Sequence, residues 1–230
     1  QILNTFQSRG ILPYHDANFL EVDNPLKALQ KLAKHHRNQF NYPVVGITGS
    51  NGKTIVKEWI HHILSPGKVV VRSPRSYNSQ IGVPLSVWQI EKRSEVAVFE
   101  AGISQMGEME TLQNIIKPTI GVLTNIGGAH QKNFNTLQEK CMEKLTLFKD
   151  CDVIIYNGDD ELVRDCVAQS VLSTREIAWS RKDMEKPLYI YKVEQKNDSV
   201  EIGYSYLGMP NSFVIPFTDE ASIENALHSL

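Results

Sequence analysis

The run Gly49-Ser50-Asn51-Gly52-Lys53-Thr54 carries the densest chemistry in the chain. It follows Val44-Val45-Gly46-Ile47-Thr48 directly, and a helical pattern opens at Lys53. A strand, a glycine loop and a helix N-terminus in that order form an anion site. Unpaired backbone N–H groups converge there, and the helix dipole adds roughly half a positive charge. Lys53 supplies a mobile full charge for the β- and γ-phosphates of a nucleotide, and the Thr54 hydroxyl is placed to ligate Mg²⁺. The common P-loop pattern wants a glycine where Ile47 stands; here the glycines fall at 46 and 49. No N-K-x-D follows on a later strand, so a guanine-specific GTPase is disfavoured.

Three further groups are expected at the same sheet edge. Glu100 closes the apolar run Val96-Ala97-Val98-Phe99, where an acid can hold Mg²⁺ directly or through water. Thr124-Asn125-Ile126-Gly127-Gly128-Ala129-His130 follows the apolar run at 120–123, which places Asn125 and His130 on a loop beside the nucleotide. Leu137, Cys141, Lys144 and Phe148 are spaced 4, 3 and 4, so Lys144 falls in the middle of an inward apolar stripe. Lys140 and Glu143 read as solvated charges off that stripe. An inward lysine is costly unless it snorkels, finds an anion or loses its charge. Reaction with CO₂ is one solution, because the resulting carbamate can approach a second metal ion.

The elements that must position these groups alternate as in an α/β fold. Strands are expected at 44–48, 69–72, 96–100, 120–124 and 153–156. Helices are expected near 53–64, 83–89, 109–116, 137–148 and 161–168. The strands are short apolar runs without polar alternation, as in a mostly parallel sheet with helices on both faces. After Trp179, alternating runs at 189–193, 200–206 and 213–217 predict a small antiparallel β extension, with a helix from 220 to 230. Upstream, Asn24-Pro25 opens a helix with Leu26, Leu29, Leu32 and Ala33 on one face. The first 42 residues read as the tail of another unit, and 43–230 as the main domain.

The 230 residues are 41% apolar and 22% charged, with a net charge of −2. That balance gives no electrostatic reason to expect nucleic acid or an anionic membrane. No apolar run reaches the ~18–20 residues of a membrane-spanning helix, and no signal-peptide pattern opens the chain. Cys141, Cys151 and Cys166 lack C-x-x-C spacing and are expected to be reduced and partly buried, as in a cytoplasmic protein.

Taken together, these motifs resemble the central ATPase domain of the Mur ligases of peptidoglycan synthesis. Thr48 to Thr54 fits that family's T-G-[ST]-x-G-K-[ST] loop. Glu100, Thr124-Asn125-Ile126…His130 and Lys144-Leu145-Thr146-Leu147-Phe148 fall in register with its acid, its T-N-I…H loop and its commonly carbamylated lysine. Within the family the best match is the enzyme type that joins D-Ala-D-Ala to UDP-N-acetylmuramoyl-tripeptide. The local signatures are Val56-Lys57-Glu58, Asn78-Ser79-Gln80-Ile81-Gly82-Val83-Pro84, and Glu100-Ala101-Gly102…Gly107-Glu108.

The resemblance implies ATP and two Mg²⁺ ions, with Thr54, Glu100, His130 and carbamylated Lys144 around the metals. It implies catalytic roles for Lys53, His130 and Lys144, and substrate contacts from Asn78, Ser79 and Gln80. Asn157-Gly158-Asp159-Asp160 resembles a segment near the adenine, so Asn157 and Asp160 join Asn125 and Asn225 as expected nucleotide contacts. It further implies that residues 1–42 are a remnant of an N-terminal UDP-substrate domain with a linker helix. A C-terminal ligase domain would be missing, and a serine-containing substrate loop hints at fusion to an alanine racemase. Ile55, Ser76, Ser79 and Ser222-Ile223-Glu224-Asn225-Ala226 depart from the family pattern, which bears on substrate contacts. The rival readings are another Mur-type or folate polyglutamate ligase, a non-catalytic nucleotide-binding module, and a simple P-loop phosphotransferase.

Overall fold

The structure, a computed structural model, describes residues 21–128 and 133–230. In chain order its strands are β1 (Val44–Thr48), β2 (Val70–Arg72), β3 (Val96–Glu100), β4 (Ile120–Leu123), β5 (Val153–Asn157), β6 (Arg175–Ser180), β7 (Leu188–Lys196), β8 (Ser199–Tyr206) and β9 (Met209–Ile215). The helices are α1 (Pro25–Arg37), α2 (Lys53–Leu64), α3 (Gly82–Val87), α4 (Glu108–Ile116), α5 (Leu137–Leu145), α6 (Glu161–Gln169) and α7 (Glu220–Ser229). All the strands join one nine-stranded sheet in the order β2-β3-β1-β4-β5-β6-β7-β8-β9. Neighbours from β2 through β7 pair in parallel, whereas β8 runs against both β7 and β9.

The expected α/β class is therefore observed, antiparallel extension included. The sequence reading missed β6. Its first residues, Arg175 and Glu176, are exposed, and only Ala178-Trp179-Ser180 is buried, so the segment lacks an apolar run. This strand bridges the main sheet and the extension, joining β7 over the pairs Trp179–Leu188 and Ser180–Tyr189. Helix α5 is shorter than the 137–148 pattern, because Thr146–Phe148 tightens into a 3-10 turn. The face of α1 also differs from expectation. Leu26 and Leu32 are exposed, while Ala33 and Arg37 are buried. Arg37 is buried because its guanidinium donates to Ile116 O (2.8 Å) and Lys117 O (3.1 Å), satisfying carbonyls at the end of α4.

Both sheet faces are covered, which explains why β1 shows no polar alternation. Val44 packs on the side of α3, α4 and α6; Val45 and Ile47 pack with Val56 and Ile60 of α2 on the other. Helix α7 packs beside α2 and closes a cluster over β6–β9 around Trp179 and Leu227. The turn after α5 sits directly on β4: a Cβ on Gly121 would lie 2.4 Å from the Phe148 ring. All three cysteines are buried free thiols, as expected.

The order of β3, β1 and β4 is what places the site. The chain runs β1 to β2 to β3 on one side, then crosses to β4 on the other. The carboxyl ends of β1, β3 and β4 thus flank a crevice at the point where the strand order reverses. Register brings Ile47 beside Glu100 and Thr48 beside Leu123, so the three following loops meet. Among the described residues no helix is long and apolar enough to cross a membrane.

Candidate active site

The loop between β1 and α2 is tight enough to require its glycines. Gly49 has φ 145° and Gly52 has φ 80°, and both approach neighbours closely. A Cβ on Gly49 would meet Thr124 Oγ1 at 1.9 Å, and one on Gly52 would meet Asn225 Oδ1 at 2.3 Å. The loop after β4 braces this cradle. Ser50 N–H donates to Asn125 O (2.7 Å), Asn51 N–H to Asn125 Oδ1 (2.9 Å), and Thr124 Oγ1 to Asn51 O (2.6 Å). Asn125 therefore lies where the sequence put it, beside the loop, and holds that loop's shape. Lys53 Nζ donates back to Gly49 O (2.9 Å) and Ser50 O (3.2 Å). Burial lowers its pKa, with the Glu100 carboxylate opposing the shift and the Lys140 ammonium adding to it.

Glu100 is fully buried at the end of β3. Thr54 Oγ1 donates to its Oε2 at 2.9 Å, and Lys57 Nζ lies 3.5 Å from its Oε1. Lys57 also pairs with Glu58 (3.2 Å) and donates to Arg75 O. Lys57 was visible in the sequence only as part of a local signature. The test applied to Lys144 would have found it, since it lies on the inward face of α2 between Val56 and Ile60. Thr54 and Glu100 together offer two hard oxygen donors at a sheet edge, a set that fits one Mg²⁺.

Lys144 is buried, with Nζ donating to Gly49 O at 3.1 Å. Burial, then the Lys53 and Lys140 ammonium groups, lower its pKa to about 7. Near neutral pH much of this amine is unprotonated, and an unprotonated amine is the nucleophile that reacts with CO₂. The expectation that Lys140 and Glu143 are solvated is overturned. Lys140 is 2% exposed and Glu143 8%. Lys140 lies one turn before Lys144 on the same ridge of α5, and its Nζ donates to Gly127 O at 2.6 Å. Glu143 points toward the start of α4, where its carboxylate accepts from Met109 N–H (3.0 Å). His130 lies outside the described residues. Among the described residues no group of three His, Cys, Asp or Glu side chains could hold a metal ion.

Lys53, Lys140 and Lys144 line one cavity of about 240 Å³, together with Gly49, Asn78 and Ser79. Asn78 and Ser79 are thus brought to the lysines, with Asn78 O accepting from Gly102 N–H (2.7 Å). Gln80 is not among its walls. Its amide ties α1 to α4, accepting from Gln30 Nε2 (3.1 Å) and donating to Glu108 O (3.0 Å). Asn225 adjoins Gly52 from α7. Asn157 and Asp160 lie at the carboxyl end of β5, two strands from β1. In this structure Asn157 Oδ1 accepts from Asp159 N–H (2.9 Å), and Asp160 caps α6 through Val163 N–H (3.1 Å).

Comparison with known proteins gives the family of the chain. The family model described as Mur ligase middle domain matches residues 47–230. The chain is 31% identical over 212 residues to the UDP-N-acetylmuramoyl-tripeptide–D-alanyl-D-alanine ligase of Bacillus subtilis, covering 91% of this chain and 45% of that protein. It is 40% identical over 140 residues to the ligase of the same name from Borreliella burgdorferi, covering 60% of this chain and 30% of that protein. The chain spans less than half the length of these relatives. Among solved structures, MurF from Acinetobacter baumannii superposes with a TM-score of 0.82 at 24% identity, covering 94% of this chain and 48% of that one. MurF ligase from Thermotoga maritima in complex with ADP gives 0.82 at 23%, covering 98% and 55%. At such identities these two likenesses speak for the fold alone.

Proposed function

The chain belongs to the Mur ligase family, and from that premise we propose that it carries the ATP site of a ligase joining D-alanyl-D-alanine to UDP-N-acetylmuramoyl-tripeptide. The observation that carries this reading is the shared cavity. The phosphate loop, Lys144 and the Asn78-Ser79 turn open onto one space, so a phosphoryl donor and a carboxylate acceptor can meet there.

A free carboxylate is a poor acyl donor, because its leaving group would be oxide. In the proposed reaction the terminal carboxylate of the tripeptide attacks the γ-phosphorus of ATP, ADP leaves, and an acyl phosphate forms. The amine of D-Ala-D-Ala then adds to the acyl carbon and loses a proton. Phosphate leaves from the tetrahedral intermediate, and an amide remains. Catalysis of such steps is mainly alignment and charge stabilisation. The backbone N–H groups from Gly49 to Lys53 would cradle the phosphates, and Lys53 would leave its loop carbonyls to pair with the β- and γ-oxygens. Thr54 and Glu100 would hold one Mg²⁺, with Lys57 keeping the carboxylate oriented. Bound there, the ion would neutralise charge on the phosphate oxygens.

A second ion would need a donor set that the amine of Lys144 does not offer. Carbamylation of Lys144 would supply it, with His130 as a further ligand; the pKa of about 7 for the amine supports that modification. Asn157, Asp160 and Asn225 would bound the nucleoside side, and Asn78 and Ser79 the acceptor side. The named relatives are ligases, and none of them supports a fused racemase.

The experiment is phosphate release by the full-length protein, with UDP-N-acetylmuramoyl-tripeptide and D-Ala-D-Ala varied separately. Release that requires both substrates is expected. Release with another amino acceptor and none with D-Ala-D-Ala would overturn the assignment.

A further inference from the structure

His228 is a buried titratable group that the proposed reaction leaves unused. It stands in the last turn of α7, 3% exposed. Its Nδ1 accepts from Trp179 Nε1–H at 3.2 Å, and the two rings meet edge-on with centroids 5.3 Å apart. A buried indole N–H needs an acceptor, and His228 is that acceptor. A neutral imidazole that accepts at Nδ1 carries its proton on Nε2. That N–H is left for the backbone of Thr124, the contact that works against the fall in its pKa. The ring thus spans from the buried end of β6 to the residue that follows β4.

The groups on either side of His228 reach the phosphate loop. Thr124 Oγ1 donates to Asn51 O (2.6 Å). Asn225, three residues before His228 and on the same ridge of α7, stands against Gly52, where a Cβ would lie 2.3 Å from its Oδ1. Much of the remaining contact of α7 is apolar, with Ile223, Ala226 and Leu227 in the cluster around Trp179. Apolar burial is non-directional and tolerates small adjustments of a helix. A hydrogen bond weakens steeply once its angle opens. We propose that His228 is a positioning residue for nucleotide binding: bonded to Trp179, it holds α7 in the seat that keeps Asn225 against Gly52 and the phosphate loop. The proposal rests on the reading of that loop as a nucleotide site and adds a residue that acts on it from behind. His228 lines no wall of the cavity shared by Lys53 and Lys144. Its influence passes through Asn225 to Gly52, the residue just before the first turn of α2.

The test is ADP binding to the full-length protein by calorimetry, in wild type, His228→Phe and His228→Gln, with urea stability measured in parallel. Phenylalanine fills the volume and removes both polar contacts; the glutamine amide can accept from Trp179 and donate to Thr124. ADP affinity is expected to fall about fivefold or more in His228→Phe and to recover most of that loss in His228→Gln. Coupling between sites is reciprocal, so the indole N–H resonance of Trp179, assigned with Trp179→Phe, is expected to shift when ADP saturates wild type. Lowered stability in His228→Phe with ADP affinity unchanged overturns the proposal, since a merely structural histidine produces that result. Equal loss of affinity in His228→Phe and His228→Gln also overturns it, as does an indole resonance that ADP does not move. Should His228→Phe not fold, the wild-type indole resonance decides alone. Wild type that binds no ADP counts against the nucleotide reading itself and removes the proposal with it. Wild type that binds ADP beside a silent indole removes the proposal alone.

Discussion

Thr54 Oγ1 lies 2.9 Å from Glu100 Oε2, so the first turn of α2 and the last residue of β3 are joined at a single carboxylate. Its other oxygen faces the buried Lys57 ammonium. Removing one partner of a buried pair leaves an uncompensated charge, at a cost of about 3–5 kcal/mol. Lys57→Met is expected to destabilise by about that much in urea denaturation, and Glu100→Ala by less, because Lys57 keeps Glu58 at 3.2 Å. The double variant Lys57→Met/Glu100→Ala should be less destabilised than the sum of the two. Strict additivity would show that the pair is not coupled.

The same carboxylate predicts a metal effect. In Glu100→Gln, which keeps the shape and the neutral hydrogen bonds, Mg²⁺ should no longer strengthen ADP binding. Calorimetric titrations with Mg²⁺ and with EDTA decide this, and an undiminished Mg²⁺ effect would place the ion elsewhere.

Gly49→Ala should be severe. The substitution puts a Cβ at φ 145° and 1.9 Å from Thr124 Oγ1, so the cradle cannot keep its form. Strain of this kind costs roughly 1–3 kcal/mol before the clash is counted. Loss of measurable ADP binding is expected, with a lowered Tm. Double substitution with Thr124→Ala should recover part of the stability.

Lys144→Ala in the full-length protein is expected to lower turnover at least about 100-fold, the usual order for loss of one preorganised charged group. Added short carboxylic acids should restore part of it if the residue acts as a carbamate. Near-normal turnover without rescue would remove Lys144 from the mechanism.

His228 makes stability depend on pH. Its ring is buried, Nδ1 accepts from Trp179 Nε1 (3.2 Å), and burial depresses its pKa to about 4, with a backbone contact to Thr124 working the other way. The neutral form is favoured in the folded state, so the unfolded chain binds more protons between pH 6.5 and 4. Stability contributed by the neutral ring is complete above about pH 6.5 and is lost as pH falls toward 4. Over that window the loss is about 3 kcal/mol by linkage. Urea denaturation at pH 7 and pH 4 measures it, and His228→Gln should flatten the difference.

The parts of this fold legible in the sequence were those with a single dominant signal. The strands β1, β3 and β4 are apolar runs, because helices cover both their faces, and their bounds fell within a residue or so of the observed ones. Strand β6 was not legible, since its first two residues are exposed and charged. In the site, the spacing around Lys144 marks an inward lysine, but the same spacing sets Lys140 and Glu143 off the stripe as solvated charges, and both are buried. Lys140 sits at the margin of the apolar stripe, where periodicity alone cannot distinguish a solvated charge from one facing a cavity. Glu143 lies off the stripe and is buried by α4, a contact that no local pattern encodes. Lys57 has inward spacing on α2, beside Val56 and Ile60, and is buried.

The seat of Phe148 on Gly121 has a consequence for how errors would propagate. With no side chain on Gly121, the aromatic ring of the turn that ends α5 rests directly against the strand. Lys140 and Lys144 ride on that helix, so a methyl group added at Gly121 would act as a wedge beneath its end. The turn would have to shift, and the side chains of Lys140 and Lys144 would be misaimed together from a position on the neighbouring strand.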